Sequence, residues 1–541
     1  MVKTAENVKR SRSTKPLLPD IITLIRLAIA VILLIVAYKI NVTPIVSILI
    51  LVAALMVSCS EIAISAVNAV KKKDYFNYSC LILLSAVACF AAGCYIESII
   101  FAIVYELCGI LHGQAVKMTK RSAHEHLPRG NEEEKNLLRA KLNHSENLEN
   151  SYKQKIEPYA EFAAKAIVVI AVLYAALLPV VSDMTYVMSI RRGAMLIVAI
   201  VPVSMFASLP LCSAYGLCFS AAYGVFVKKD AALEKAARTK SVVFDKADVL
   251  TDGGPKIAAI ISPVLDNESF LKSAAYTAFK SEQRIAAPII SAYNGIVNPE
   301  YIQEFSDILG GGMEVKIGGQ AMLLGTQALL ESRGIVLDEK NLRSGYVLYL
   351  IIAGNYAGCI VFKENINPYA AKTVSDLKAM GITSCLVSED GREVSERTAS
   401  QLGAAKFYAG CETVSKLYAV KEIKENSAEN DAVIYVSAEC IDYHSDADID
   451  AKVGYSTEIE DIQMSNIGIY GLPVAISTAK KVRRISAENL LLSAAVKLIL
   501  ITLALTGYAT LWFIVLLDFA AGIFGVLNIS SIASEEAAAN K

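Results

Sequence analysis

Apolar residues along this chain follow two patterns. Toward both ends they run almost unbroken for about twenty positions at a time, while in the middle they come in short bursts separated by amphipathic stretches. The long runs cover roughly residues 17–38, 44–66, 79–96, 97–116, 160–181 and 193–224, then 489–506 and 507–528. Each is long enough to cross a hydrocarbon layer of about 30 Å as a helix, an element that satisfies its own backbone in lipid. The pattern therefore predicts a multi-pass α-helical membrane domain of eight helices. Basic clusters orient them: Lys9 to Lys15 before the first run, Lys71 to Lys73 after the second, Lys117 to Arg121 after the fourth. With alternating spans all three clusters share one side, which places both termini in the cytoplasm. Arg191 and Arg192 fall on the other side, a local exception.

Between the sixth and seventh runs lies one block, 226–487, with a different rhythm. Short apolar segments at 241–244, 346–352, 358–362 and 432–436 read as strands alternating with amphipathic helices, an α/β pattern. A smaller α+β insert, 256–345, interrupts it. The expected organisation is a basic tail (1–16), helices one to four (17–116) and a short charged loop (117–157). Helices five and six (158–225) follow, then the α/β domain (226–255 and 346–487) around its insert, helices seven and eight (488–530) and a tail (531–541).

Composition sharpens this in three respects. Hydrophobic residues make up 54% and charged residues 19% of the 541, more apolar surface than a soluble domain can bury. A formal charge of −1 argues against a nucleic-acid binder, which would need a basic surface to neutralise phosphates, so no nucleic acid is expected. Eleven cysteines occur without any CxxC pair, which suits buried thiols facing a reduced compartment, not a disulfide framework. The first apolar run is followed by no small-residue cleavage site and reads as an anchor.

The chemistry concentrates where the α/β block begins. Residues 226–255 read FVKKDAALEKAARTKSVVFDKADVLTDGGP. This stretch resembles the segment of heavy-metal-transporting P-type ATPases that ends in FDKTGTLTEGKP, and the similarity continues over most of the chain. The resemblance implies a haloacid-dehalogenase-like phosphorylation domain carrying an inserted nucleotide-binding domain, with Mg2+ and ATP as cofactors. It makes Asp245 the carboxylate that would attack the γ-phosphate, splitting hydrolysis into two steps, with Lys246 beside it. Ser388-Glu389-Asp390 stands for the family's TGD, and Lys416 for the lysine of PEDK that would neutralise the phosphoryl group. Glu364 and Asn367 replace the Asp and Arg of DxxRP. The resemblance places magnesium at Asp245, Ala247 and Asp442. In the insert the resemblance assigns nucleotide contacts to Glu282 and to Gly310 and Gly312 of LGGGMEVKIGG.

Several family features are altered. Ala247, Asp248 and Val249 replace Thr-Gly-Thr after the lysine, and Gln283-Arg284 replaces His-Pro after Ser281-Glu282. The family's GDGxND reads SAECID, with Ala438 in place of its first aspartate. Asp446, Asp448 and Asp450 nearby are either a substitute metal site or a solvated loop. The transport signature CPC becomes Val201-Pro202-Val203, so Pro202 still breaks the helix ladder but no thiolate is offered for a soft metal. Lys497 and Asp518, 21 residues apart, resemble the lysine and aspartate beside the transported ion, or else pair to hold two helices. Cys108 and His112 at i, i+4 are either ligands or packing. The loop 117–157 is too short for the family's actuator domain, and no Thr-Gly-Glu occurs anywhere in the chain. These changes imply a degenerate, transport-incompetent relative with a regulatory or scaffolding role in the lipid bilayer. Its expected partners are an active pump or a separate actuator-like protein. The alternative is a working ATP-dependent metal transporter or phosphohydrolase using Asp245.

Overall fold

A computed structural model describes the chain outside residues 1–17, 40–42, 126–135, 143–150, 201–204, 339–345, 439–444, 455–459, 465–467 and 533–541. Isolated positions at 74, 76, 137, 141, 183, 229, 253, 284, 309–310 and 412 are also excluded. The chain divides into two units, residues 1–219 with 481–541, and residues 220–480.

The first unit is helical. Four helices among the described residues are long and apolar enough to cross a bilayer: Ile21–Lys39, Tyr95–Ser122, Ile469–Thr506 and Leu511–Asn528. Pro44–Ser58 and Ser60–Lys71 form a pair bent by 62° at Cys59 and make a fifth span if counted as one. Shorter apolar helices at Ser79–Ala91, Val168–Val181 and Ser208–Ala222 stand at the remaining three expected runs. Large side chains such as Ile22, Ile45, Val181 and Leu491 stay exposed on these helices, as they must where the surroundings are lipid tails. Phe101, Met195, Leu500, Leu511 and Phe519 meet in the interior of the bundle. Several helix bounds depart from the expected runs: the helix at the fifth begins at Ser151 and that at the seventh at Gly468. The fourth helix does not stop at the basic cluster but continues to Glu125, and the sixth run carries the helix Met205–Ala222 and the end of Tyr186–Ile200, which begins before it. The outlying Arg191 is explained locally: it is ion-paired with Glu97, whose other oxygen accepts from the Leu511 amide at 3.1 Å.

The second unit holds two sheets. The seven strands of the first are β1 (Val225–Val227), β2 (Thr239–Asp245), β9 (Thr383–Val387), β10 (Lys406–Tyr408), β11 (Ala432–Ser437), β12 (Ile449–Val453) and β13 (Ile462–Met464). Their order is β1-β13-β12-β11-β2-β9-β10. All pairings are parallel except β1 with β13. The central strand β11 is buried at every position, as expected for a parallel strand covered on both faces.

The second sheet is antiparallel, with β3 (Lys256–Ile261), β4 (Ile302–Ile308), β5 (Gly312–Ile317), β6 (Gln320–Gly325), β7 (Tyr346–Ile352) and β8 (Asn355–Lys363) in the order β3-β8-β7-β6-β5-β4. This corrects the boundary read from sequence: the insert does not end at residue 345, because β7 and β8 belong to its sheet. Ile352 pairs with Asn355 across the two-residue turn Ala353-Gly354, both at positive φ, which matches the twist of the hairpin. Lys256 pairs with Lys363, so the chain enters and leaves the insert side by side.

Candidate functional site

Asp245 ends β2, the strand flanked by β11 and β9, so its carboxylate emerges where parallel strands leave their unbonded ends. The following turn takes Asp248 to φ +56, a left-handed conformation tolerated by aspartate, and the family's glycine occupies this position. The turn is strapped down. Asp248 N donates to Thr251 Oγ1 at 3.2 Å, Thr251 Oγ1 donates to the Lys246 carbonyl at 3.3 Å, and Asn367 N donates to the Leu250 carbonyl at 2.8 Å.

The five candidate catalytic residues converge. Lys416, on the helix Thr413–Glu425, is buried and places Nζ 2.8 Å from Asp245 Oδ2 and 2.9 Å from Glu389 Oε1. Burial pulls its pKa down, but the carboxylates of Asp245 and Glu389 outweigh this and hold it above the ordinary lysine value. Lys246 is ion-paired with both Glu364 and Asp390, which likewise raise its pKa against the opposing effect of burial. Ser388 Oγ donates to Asp390 Oδ2 at 2.9 Å and accepts from the Asp390 amide at 3.1 Å. Lys416, Lys246 and Ser388 are therefore each already bonded to a carboxylate. Two of those carboxylates, Glu364 and Glu389, were not among the candidates. Their signal was their replacement of the family's Asp and Gly, but replacement alone does not say where a side chain reaches.

Among the described residues the donor set fits magnesium poorly. Val436 on β11 pairs with Phe244 on β2, so the chain just beyond β11 runs beside Asp245, and there stands Ala438, with no carboxylate. The backbone of Ala247 turns its amide onto Asp245, donating to Oδ1 at 3.3 Å. Asp442 lies outside the described residues. The nearby acids are occupied: Asp448 accepts from Lys424 and from the Val433 amide at 2.9 Å, and Asp450 accepts from Ser445. Among the described residues no three His, Cys, Asp or Glu side chains gather in a way that could hold a metal ion.

A cleft of about 900 Å³ runs from Asp245 and Ser388 past Glu282 and Gln283 to Phe305 and Tyr346. Along its lining carboxylates outnumber cationic side chains seven to three, an inhospitable surface for a triphosphate. Gln283, standing where the family has histidine, commits its amide elsewhere: Nε2 donates to Asp307, to the Ile308 carbonyl at 3.2 Å and to the Gly312 carbonyl at 3.1 Å. Gly312 has a structural reason to be glycine, since at φ +140 an added Cβ would lie 2.1 Å from the Leu324 carbonyl oxygen on β6. Gly310 and Arg284 lie outside the described residues.

Among the membrane candidates, Lys497 Nζ lies 2.7 Å from Asp518 Oδ1. Pro202 lies outside the described residues. Cys108 is buried, and His112 on the same helix meets Phe519 edge-on at 6.2 Å with neither ring nitrogen hydrogen-bonded. Cys212 Sγ donates to the Val482 carbonyl at 3.7 Å, a packing role. A second group of intramembrane charges goes unnamed when only the sequence is read. Arg26 pairs with Glu106 and, at 3.2 Å, with Glu61, while Thr23 Oγ1 donates to Glu61 at 2.9 Å. Charges inside the runs 17–38, 44–66 and 97–116 were the signal.

Comparison with known proteins bears on both units. A family model for haloacid dehalogenase-like hydrolases matches residues 239–436. A cadmium, zinc and cobalt-transporting ATPase of Bacillus subtilis is 28% identical over 389 residues, 69% of this chain and 54% of that protein. A zinc-transporting ATPase of Synechocystis is 27% identical over 356 residues, 64% of this chain and 49% of that protein. The chain thus spans about half the length of these curated relatives. Among solved structures, a zinc-transporting PIB-type ATPase in its E2.Pi state shares the fold with a TM-score of 0.58 at 18% identity, over 96% of this chain and 100% of that one.

Proposed function

This chain belongs to the heavy-metal P-type ATPase family with its haloacid dehalogenase-like catalytic domain, and from that premise we propose that it is a membrane-embedded pseudo-pump that neither forms an acyl phosphate nor drives transport. Its role is then regulatory or scaffolding, beside an active pump or a separate actuator-like protein, with both termini on the cytoplasmic side. One observation carries the reading: Asp245 is buried against Lys416 while Ala438 stands in the place of a magnesium-holding carboxylate. A carboxylate and a triphosphate repel each other, and in phosphoryl transfer a metal ion offsets that repulsion. The relatives' cargoes of cadmium, zinc and cobalt are not carried over, since the CPC thiolates that suit soft ions are valines here.

A working pump is the second reading, favoured by Asp245, Lys246, Ser388 and Asp390 lining one cleft with Lys416 paired to Asp245 behind it. Labelled ATP followed by acid quenching separates the two. The pseudo-pump gives no stable label on the purified protein. A hydroxylamine-sensitive label that disappears in Asp245→Asn would overturn the proposal in favour of the pump.

A further inference from the structure

Lys416 occupies the place of a lysine that meets a phosphoryl group, yet its side chain is only 1% exposed. What covers it on the cleft side is Glu389, which lines the cleft and is 46% exposed. Glycine stands at this position in the family's TGD. Glu389 Oε1 accepts from Lys416 Nζ at 2.9 Å while Asp245 Oδ2 accepts from it at 2.8 Å, so the ammonium is shared between the nucleophile's carboxylate and a second one. The remaining donors are equally committed, Lys246 to Glu364 and Asp390, and Ser388 to Asp390. Of these acceptors Glu389 is the most exposed, so it is the one a ligand entering the cleft meets first.

We infer that Glu389 is a built-in acidic occupant of the oxyanion position over Asp245. Its carboxylate takes the hydrogen bond from Lys416 that a tetrahedral oxyanion such as orthophosphate would take, and it makes the site reject such ligands. The inference rests on the pseudo-pump reading and names the residue that enforces it. Two effects act together. A carboxylate beside a phosphate dianion repels it, an effect that water screens in part because Glu389 is half-exposed. The strong, charge-assisted bond that would hold the phosphate is already made inside the protein.

The test uses the full chain in detergent with MgCl2, titrated with inorganic phosphate and followed by thermal shift and by equilibrium binding of labelled phosphate. Glu389→Gly should bind phosphate roughly 3- to 10-fold more tightly than the unaltered chain, the range expected for freeing one half-exposed charged partner. Glu389→Gln keeps the shape and removes the charge, so it reports even if the glycine variant folds poorly, and it should show part of the gain. Adding Lys416→Met to either variant should erase it. Folded Gly and Gln variants that bind phosphate no better than the parent overturn the inference, as does a gain that survives Lys416→Met. Acyl phosphate on the unaltered chain with ATP is a different result: it removes the pseudo-pump reading, whereas the phosphate titrations read Glu389 alone.

Discussion

Asp245 and Lys416 form the most consequential pair of residues in the molecule, each 1% exposed and 2.8 Å apart. Breaking a buried pair by removing one partner leaves the other charge stranded, which costs about 3–5 kcal/mol. Lys416→Met should therefore lower the melting temperature of the detergent-solubilised chain markedly, and adding Asp245→Asn should recover much of the loss. An additive double mutant would show that the two side chains do not depend on each other. The pair also sets a pH expectation. Because the folded pKa of Lys416 lies above that of a free lysine, about 10.4, its stabilisation is fully present below about pH 10 and fades only as pH climbs through the higher folded value. Melting temperature should then differ between the parent and Lys416→Met by a constant amount from pH 7 to about pH 9.5, narrowing only in more alkaline buffer. At this scale much is legible in the sequence. Asp245, Lys246, Ser388, Asp390 and Lys416 can be named because each keeps its motif's spacing. Glu389 and Glu364 cannot, because a motif says which residue departs but not that its side chain closes on a neighbouring ammonium.

At the scale of elements, the strand edges decide what the motifs mean. In sequence the glycines of LGGGMEVKIGG resemble a loop shaped for a ligand, yet Gly312 is required by the approach of β5 to β6, where the Leu324 carbonyl leaves no room for a Cβ. Gly312→Ala should destabilise the protein by about 2 kcal/mol or more, a strained φ and a backbone clash together. Gly254→Ala should melt like the parent, since the methyl group it gains would have nothing within 4 Å. An unshifted melting temperature for Gly312→Ala would restore the ligand-loop reading. The same long-range pairing explains the misplaced boundary at residue 345. The runs 346–352 and 358–362 are read correctly as strands from their apolar, β-branched composition, but which sheet a strand joins is set by partners well outside its own segment, here β6 for β7 and β3 for β8. The membrane helices suffer less from this, since a run's length and hydropathy suffice to announce a span without any knowledge of its neighbours.

At the scale of the whole molecule, the question is whether repairing one site would make a pump. The double change Val201→Cys, Val203→Cys rebuilds the CPC sequence around Pro202, in a chain where Lys497 and Asp518 already form an ion pair between the last two helices. Thiolates together with a carboxylate suit zinc or cadmium, so the variant should bind either ion measurably where the parent does not. Binding is only part of transport. Net movement requires that phosphorylation and dephosphorylation alternate the access of the site, and that coupling needs an element whose two states both the catalytic head and the membrane site bias. In the family that element is the actuator domain with its TGE loop; on the pseudo-pump reading residues 117–157 stand in its place, and the sequence given contains no Thr-Gly-Glu. The head, for its part, keeps Lys246, Ser388 and Lys416 bonded to its own carboxylates. Reconstituted into vesicles, the double variant should hold metal without ATP-driven flux, and adding Glu389→Gly should improve phosphate binding without starting transport. Uptake that depends on both ATP and Asp245 in either variant would mean that coupling runs through a route other than an actuator, and the pseudo-pump reading would fall with it.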